Sequence, residues 1–160
     1  MIFNKTKDKK ELTKRLAIYI SDKHRQIIIA PRHANKAGII YEQEKCVTLD
    51  SSVSSLDLGT EVINNLNLFS LKDVNLRDNK PSDWPAFKHS KSKSVRTFEH
   101  EYIYIYVDSC NEYNLTIEIQ GLPYKTSELT INSTISFYAD KDEIGKRIMK
   151  VYEACLTGKI

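Results

Sequence analysis

The sequence has little of what marks a membrane protein, a disulfide-rich protein or a metalloprotein. Its 160 residues include three cysteines, five glycines and one tryptophan. No stretch approaches the ~18 uninterrupted apolar residues that span a bilayer, and the lysine-rich start has no apolar signal core. Cys46, Cys110 and Cys155 are far apart and lack the spacing of zinc or redox motifs. We therefore expect a cytoplasmic protein without disulfides, membrane segments or a metal site.

Motifs that hold phosphate or perform catalysis are missing too. The chain contains neither G-x-x-x-x-G-K nor G-x-G-x-x-G. Its four histidines, His24, His33, His89 and His100, fall in separate predicted turns or loops, so metal-ligand spacing does not arise. An acid pair or a Cys–His pair assembled only by the fold remains open. Otherwise Cys46, Cys110 and Cys155 are expected to pack in the core, because free cysteine is among the most buried residue types. These absences shift the prediction from an enzyme to a binding protein with no catalytic residues and no cofactor.

Charge is nearly balanced in total but uneven along the chain. The formal net charge is +3, with eleven basic against six acidic residues over 1–50 and six against nine over 101–160. The first 14 residues hold much of the positive charge, interrupted by Asp8 and Glu11. We expect a flexible basic terminus there rather than a nucleic-acid surface.

The first third of the chain predicts an antiparallel meander. Residues 16–21 and 26–30 are apolar, β-branched runs joined by four polar residues, which is typical of a hairpin. Pro31 is expected to end the second run, because proline has no N–H to donate to a ladder. An extended segment at residues 38–49 is expected to pair with it.

The second half predicts three more strands. Residues 102–107 alternate Tyr with Ile or Val, which places tyrosines on one face and aliphatics on the other. The aliphatic face is expected in the core, and the tyrosine face either packs under a helix or forms an exposed protein-binding surface. Residues 113–119 and 129–137 predict the last two strands, and Gly121 to Pro123 are expected to break the first of them.

Helical patterns complete an α+β fold. Residues 54–66 begin with a serine cap and continue with apolar residues at spacings of three and four. A short helix is expected near 95–100, and a last helix from Asp140, with Glu143 completing a capping box, to Gly158. At about 100–200 residues per domain, we expect one domain over residues 1–160. It is a mostly antiparallel sheet of about six strands with two or three helices packed on it.

The order of these features is distinctive. The chain starts with a basic segment and an apolar hairpin. The helix at residues 58–66 follows, and then the segment 93–98 ahead of a strand. The final helix contains residues 143–149, Tyr152 and Cys155. Along nearly the whole chain this order resembles the CdiI-type immunity proteins of bacterial contact-dependent growth inhibition systems. The matching motifs consist of residues that pack helices and strands together. Among them, Gly59 and Gly145 are expected where a helix closely approaches the sheet.

The resemblance implies a small cytoplasmic protein that binds the C-terminal toxin domain of a CdiA effector from a neighbouring cell and neutralises it. Such toxins are commonly nucleases that act on RNA. The family offers no catalytic residues to carry over, and fold membership does not locate the toxin-binding surface.

We expect the toxin contacts in residues 73–96, because functional variation concentrates in loops held by a rigid scaffold. An acidic set would replace phosphates in a positively charged nuclease groove: Asp73, Asp78 and Asp83, with Trp84 as an anchor. A basic set would suit an acidic toxin surface: Lys88, His89, Lys91, Lys93 and Arg96. The sequence does not decide between the two signs, nor between Trp84 as an anchor and Trp84 as a cover for the core.

Two other classes of function stay open. An RNA-binding or housekeeping interaction module would use the basic loop at residues 88–96 together with the tyrosine face of residues 102–107. Its binding to RNA would weaken steeply with salt. A small enzyme would need a pocket in which Cys46 or Cys110 lies beside a histidine.

Overall fold

The computed structural model describes residues 13–73, 79–124 and 127–159, and these form one sheet with helices on both faces. The strands are β1 Arg15–Ser21, β2 Gln26–Ala34, β3 Ile40–Glu42, β4 Val47–Asp50, β5 Ser70–Leu71, β6 Ile103–Ser109, β7 Asn114–Tyr124 and β8 Ser127–Ser136. The helices are α1 Ser55–Leu66, α2 Pro85–Lys88, α3 Val95–Glu101 and α4 Lys141–Thr157, with a 3-10 helix at Pro81–Asp83. The predicted α+β class with a mostly antiparallel sheet is confirmed.

The sheet is built around β1, which pairs antiparallel with both β2 and β6. The order across the sheet is β3-β2-β1-β6-β7-β8, while β4 also pairs with β2 and the short β5 pairs with β2 in parallel. Ile18 lies opposite Ile29 on one side and Ile105 on the other. The predicted hairpin and the pairing of segment 38–49 with it are therefore both confirmed.

Pro31 does not end β2, contrary to expectation. The strand continues to Ala34, and Pro31 lies opposite Leu16. The carbonyl oxygen of Pro31 accepts a hydrogen bond from the amide of Gln43 at 2.7 Å. Because the N–H and C=O of a residue in an antiparallel strand point the same way, the missing N–H faces the interruption between β3 and β4. The proline therefore costs the sheet no ladder bond there.

The expected break at Gly121 to Pro123 is also wrong. Strand β7 continues to Tyr124, and its pairing with β8 shifts register between Gly121 and Tyr124. An irregularity of this kind leaves residues unpaired on one strand, which accommodates a proline within it.

Helices α1 and α4 cover the larger cluster of buried side chains, on the first face of the sheet. The largest of its fully buried members are Leu16, Ile18, Ile20, Ile27, Ile29, Leu58, Leu66, Ile105, Leu115 and Ile117. Ser54 caps α1 by accepting a hydrogen bond from the amide of Asp57 at 3.1 Å. Asp140 makes no such side-chain bond at the start of α4, so the expected capping box is wrong, whereas Gly158 ends that helix with φ 66°.

The second face carries a smaller, aromatic cluster under the 3-10 helix, α2 and α3. Its buried members are Ala17, Tyr19, Ile28, Ala30, Ala86, Phe98 and Tyr102. Tyr104 packs against this cluster, and Ile105 and Val107 are buried on the first face, which confirms the predicted alternation along β6. Among the described residues, no helix is both long and apolar enough to cross a membrane.

Candidate functional site

A groove crosses the second face of the sheet beside the 3-10 helix. We call it the Arg32 groove, and define it by Tyr19, Arg32, Glu42, Trp84 and Tyr104. Its wider end has a volume of about 730 Å³, with walls from β2, β3 and the 3-10 helix. A narrower part of about 390 Å³ continues over Tyr104 towards α3. Strands from opposite ends of the sequence thus supply the floor, and the loop region before α3 supplies one wall.

The sheet register explains why Arg32 lies at the centre of the groove. Ala17 is opposite Ala30 on β2 and opposite Tyr106 on β6. These two alanines are small and buried, and they are the residues that separate Arg32 from Tyr104 and Tyr106. The guanidinium carbon of Arg32 lies 5.5 Å from the ring centroid of Tyr104 and 5.3 Å from that of Tyr106. At these distances a guanidinium is attracted to the ring faces. The two tyrosines therefore hold the Arg32 side chain across β1.

Glu42 ties the sheet to α2. It lies opposite Arg32 in the pairing of β2 with β3. Its carboxylate accepts hydrogen bonds from the Tyr19 hydroxyl at 2.5 Å and from the amide of Ala86 at 3.0 Å. Burial first, and then the Glu42 carboxylate, raise the pKa of the Tyr19 phenol far above its ordinary value. Tyr19 therefore stays a neutral donor to Glu42 at any physiological pH.

The Arg32 guanidinium forms no ion pair within contact distance among residues 13–73, 79–124 and 127–159, although the Glu42 carboxylate attracts it from further away. None of the ion pairs within those ranges includes it. Its Nε atom is buried without a hydrogen bond there. A half-buried guanidinium with unmet hydrogen-bonding capacity is costly to leave unpaired.

Trp84 covers the aromatic cluster and also lines the groove. Its ring meets Tyr19 edge-on at 5.9 Å and Phe98 edge-on at 4.9 Å between centroids. The side chain is half-buried, and the groove wall includes its remaining surface. Trp84 thus folds back on the core, as one of the two sequence interpretations predicts, while part of it stays accessible to a partner.

The acidic residues predicted as toxin contacts lie in different places. Asp83 lines the Arg32 groove, where its carboxylate accepts a hydrogen bond from the amide of Lys80 at 2.8 Å. Asp73 is outside the groove lining and pairs with Lys36 at 2.9 Å. Asp78 lies outside the described residues.

The basic residues predicted as contacts lie between the last residue of α2, Lys88, and the first turn of α3, which contains Arg96. Lys88 pairs with Glu44 at 3.6 Å, and the His89 ring bonds to the carbonyl of Glu44 at 3.2 Å. Lys91 donates to the carbonyl of His24 at 2.9 Å. Lys93 and Arg96 are exposed. Three of the five basic side chains therefore hold this loop to the rest of the protein.

A cluster around Glu101 fastens α3 to the turn between β1 and β2. The Glu101 carboxylate meets the His24 ring at 2.6 Å, accepts from the Ser92 hydroxyl at 2.7 Å and also pairs with Lys23. Hydrogen bonds from His24, then Lys23 and Ser92, lower the pKa of Glu101 from 4.5 to about 2. This cluster fixes the far end of the groove region to the sheet.

The sequence prediction missed Arg32, Glu42 and Tyr19 as site residues. One local signal was available for Arg32, because residues two apart on a strand share a face. Ile28, Ala30 and Arg32 form such a row, in which a charge follows two buried apolar residues. Glu42 and Tyr19 carry no comparable signal, since their role depends on contacts with each other and with α2.

No cluster of three or more metal-ligating side chains was found in the described part of the chain. Cys155 is buried as predicted, whereas Cys110 is exposed and Cys46 is half-buried. The expectation that Cys110 packs in the core is therefore wrong.

Comparison with known proteins shows the fold of the chain. No protein-family model and no curated protein matches the sequence. A solved structure of a protein of unknown function from Neisseria meningitidis matches with a TM-score of 0.71 and 16% identity, covering 97% of this chain and 99% of that chain. A chain of the CdiA-CT/CdiI toxin and immunity complex from Yersinia pseudotuberculosis matches with a TM-score of 0.67 and 14% identity, covering 90% and 98%. The chain therefore shares its fold with both.

Proposed function

We propose that this protein is an immunity protein of contact-dependent growth inhibition. It binds the C-terminal toxin domain of a cognate CdiA effector in the cytoplasm and neutralises it without catalysing a reaction. The observation that carries this proposal is the fold shared with a chain of a toxin and immunity complex over 90% of this chain. The residue order described from the sequence supports the same family independently of that comparison.

The Arg32 groove supports a binding role. Its floor consists of paired strands, and its wall is fixed by the Glu42 bonds to Tyr19 and Ala86. A preformed surface binds a partner at a lower entropic cost than one that must be ordered. The half-buried rings of Trp84 and Tyr104 also supply some of the large, rigid area that is typical of interface anchors.

Neutralisation requires stoichiometric cover of the toxin's active site or of the path to it. Complexes of this kind bury about 1,600 Å² in total, with a few anchors supplying most of the affinity. The predicted contacts Asp83 and Trp84 lie in the groove wall. The contact surface we propose is therefore the groove together with the basic loop up to Arg96. The toxin we propose is a nuclease, consistent with the family that the sequence resembles.

Co-expression tests the proposal. The gene immediately upstream is cloned as its C-terminal domain under a tight promoter, with and without this protein. We expect growth arrest by the domain alone, full growth when both are present, and a 1:1 complex in size-exclusion chromatography. A toxin domain from an unrelated CdiA serves as the specificity control and should not be neutralised. Absence of toxicity, or toxicity that this protein does not relieve, would contradict the proposal.

An RNA titration separates the alternative class. The purified protein is mixed with total cell RNA at two salt concentrations. Binding that is tight at low salt and falls steeply with salt would favour an RNA-binding module. We expect little binding through Lys88 and Lys91, because both already have partners within the protein.

A further inference from the structure

We propose that the Arg32 groove receives an acidic segment of the protein partner, with one partner carboxylate seated on the Arg32 guanidinium. This deepens the proposed function, on which it rests only for the identity of the partner. It also assigns a sign to the interface, which the sequence alone leaves undecided. Three observations carry it: the contacts that the carboxylates of the groove make within the protein, the cations that line its wider end, and the environment of Arg32.

Three of the acidic side chains that line the groove make contacts within the protein, while Glu99 lines the narrower part without such a contact to another described residue. Glu42 accepts hydrogen bonds from the Tyr19 hydroxyl and the Ala86 amide. Asp83 accepts from the Lys80 amide, and Glu44 pairs with Lys88 at 3.6 Å. These bonds hold the walls of the groove together, and among these three carboxylates Glu44 has its charge offset by a cation, Lys88.

The cations that line the groove are not neutralised in the same way. Within the described ranges, the ion pairs include none of Arg32, Lys45, Lys72 and Lys80, all of which line the wider end. Burial, and then the nearby Lys72 ammonium, lower the pKa of His33 in the same wall. The wider end thus carries four cations against the carboxylates of Glu42, Glu44 and Asp83, and Glu44 is paired with Lys88. Its net charge is positive, which favours an acidic partner.

Arg32 is suited to a carboxylate in particular. Its guanidinium lies over Tyr104 and Tyr106, and the residue lines both parts of the groove. A carboxylate binds a guanidinium through two parallel hydrogen bonds, and Arg is favoured over Lys for such pairing. The rings of Tyr19 and Trp84 flank the position and would shield the pair from water.

The aromatic side chains of the groove favour a protein segment over single-stranded nucleic acid. Bases bind by stacking on accessible ring faces. Here Trp84 meets Tyr19 and Phe98 edge-on, and Tyr19 lies 5.1 Å from Phe98. The rings are packed against one another as a wall, which suits the methylene groups of a peptide side chain.

Trp84 provides a direct readout, since it is the sole tryptophan and lines the groove. The protein is titrated with hexaglutamate, with hexalysine and with a ten-residue oligothymidylate while Trp84 emission is followed. We expect a saturable change with hexaglutamate, no change with hexalysine, and binding of hexaglutamate at least about tenfold weaker in Arg32→Gln. Lys150→Gln, an exposed position on α4 across the sheet, is the matched control and should bind as the wild type does.

Each other result of this titration overturns the inference. Hexaglutamate that leaves Trp84 emission unchanged, or that binds Arg32→Gln as tightly as the wild type, removes the role of Arg32. Oligothymidylate that binds the groove more tightly than hexaglutamate, and loses affinity in Arg32→Gln, replaces the acidic segment with a nucleic acid. If Arg32→Gln does not fold by circular dichroism, Arg32→Lys and the surface pair Lys45→Gln/Lys80→Gln take its place, with weaker binding expected in both.

The toxin domain separates this inference from the proposed function. In a calorimetric titration we expect the double variant Arg32→Gln/Lys45→Gln to bind the toxin domain about thirtyfold more weakly or worse. Equal binding by the wild type and the double variant overturns the inference and leaves the immunity function standing. Binding of hexaglutamate but not of the toxin domain by the wild type rejects the immunity function and leaves the acidic-segment site standing.

Discussion

Gly59 of α1 and Gly145 of α4 each lie against the backbone of the other helix. A Cβ atom on Gly59 would be 1.7 Å from the carbonyl oxygen of Lys141, and one on Gly145 would be 2.0 Å from that of Ser55. The contact is reciprocal, and it joins the two helices that cover the larger cluster. From the sequence, these glycines are expected where a helix closely approaches the sheet. They instead allow two helix backbones to approach closely.

Substituting either glycine should therefore destabilise the protein. We expect Gly59→Ala and Gly145→Ala each to lower the free energy of unfolding by about 2 kcal/mol or more, because the helix backbones must move apart. This outweighs the gain of about 0.5–1 kcal/mol that alanine brings to a helix. Urea denaturation followed by circular dichroism measures the effect. Asn64→Ala, at an exposed position of α1, is the control and should be neutral or slightly stabilising.

Glu101 should make the stability depend on pH at the acidic end. Its pKa is about 2 in the folded protein against an ordinary 4.5, so its ionised form stabilises the fold above pH 4.5. That contribution is lost as the pH falls from about 4.5 through 2. We expect Glu101→Gln to be less stable than the wild type at pH 7, with a difference that shrinks towards pH 2. Urea denaturation across this range tests it.

Glu99 provides the matched control for this titration. It is exposed in the same helix, and none of the ion pairs or hydrogen bonds described above involves it. Glu99→Gln should therefore leave the shape of the stability profile unchanged. A difference between the wild type and Glu101→Gln that is equally large at pH 7 and at pH 2.5 would show that the Glu101 contacts stabilise the fold through packing instead of charge.

Thiol reactivity should distinguish the three cysteines. Cys110 is exposed, Cys155 is buried, and burial raises the pKa of the half-buried Cys46 thiol to about 12. Because the thiolate is the reactive form, we expect one fast reaction with Ellman's reagent in the native protein and three thiols after denaturation. Cys110→Ser should remove the fast reaction. If it persists in that variant, Cys46 is more accessible than the structure shows.

Trp84 tests the contact region that the sequence predicts. Trp84→Phe keeps a ring against Tyr19 and Phe98 but removes the indole surface from the groove. We expect the variant to fold and to bind the toxin domain at least about tenfold more weakly, because Trp is often an interface anchor. Tyr138→Phe, 72% exposed and outside the groove lining, is the comparison and should bind normally. Full affinity in Trp84→Phe would mean that Trp84 only covers the core.

Most of the fold is predictable because its signals are local. Alternation in β6, the serine at the start of α1 and the glycine after α4 each act within a few residues. The expectation for Pro31 is wrong because the effect of a proline depends on its partner strand. Only the pairing with β3 and β4 shows that its missing N–H faces a gap.

The candidate site is less predictable for the same physical reason. Asp83 and Trp84 were identified because a turn-rich segment with a lone tryptophan is conspicuous in a sequence. The opposite wall depends on Arg32 reaching across β1, which in turn depends on the strand order and on two small residues in register. The partners of Lys88 and Lys91 are likewise distant in sequence, so a basic loop looked free when much of it is tied down.

The position of the sheet between two separate clusters has a consequence for how binding preference can change. The α1 and α4 side chains meet one face, and the groove residues belong to the other. Substitutions on opposite faces share few contacts, so their effects on stability should be close to additive. A new partner preference can therefore arise from a handful of exchanges around Arg32 while the packing that keeps the protein folded stays as it is.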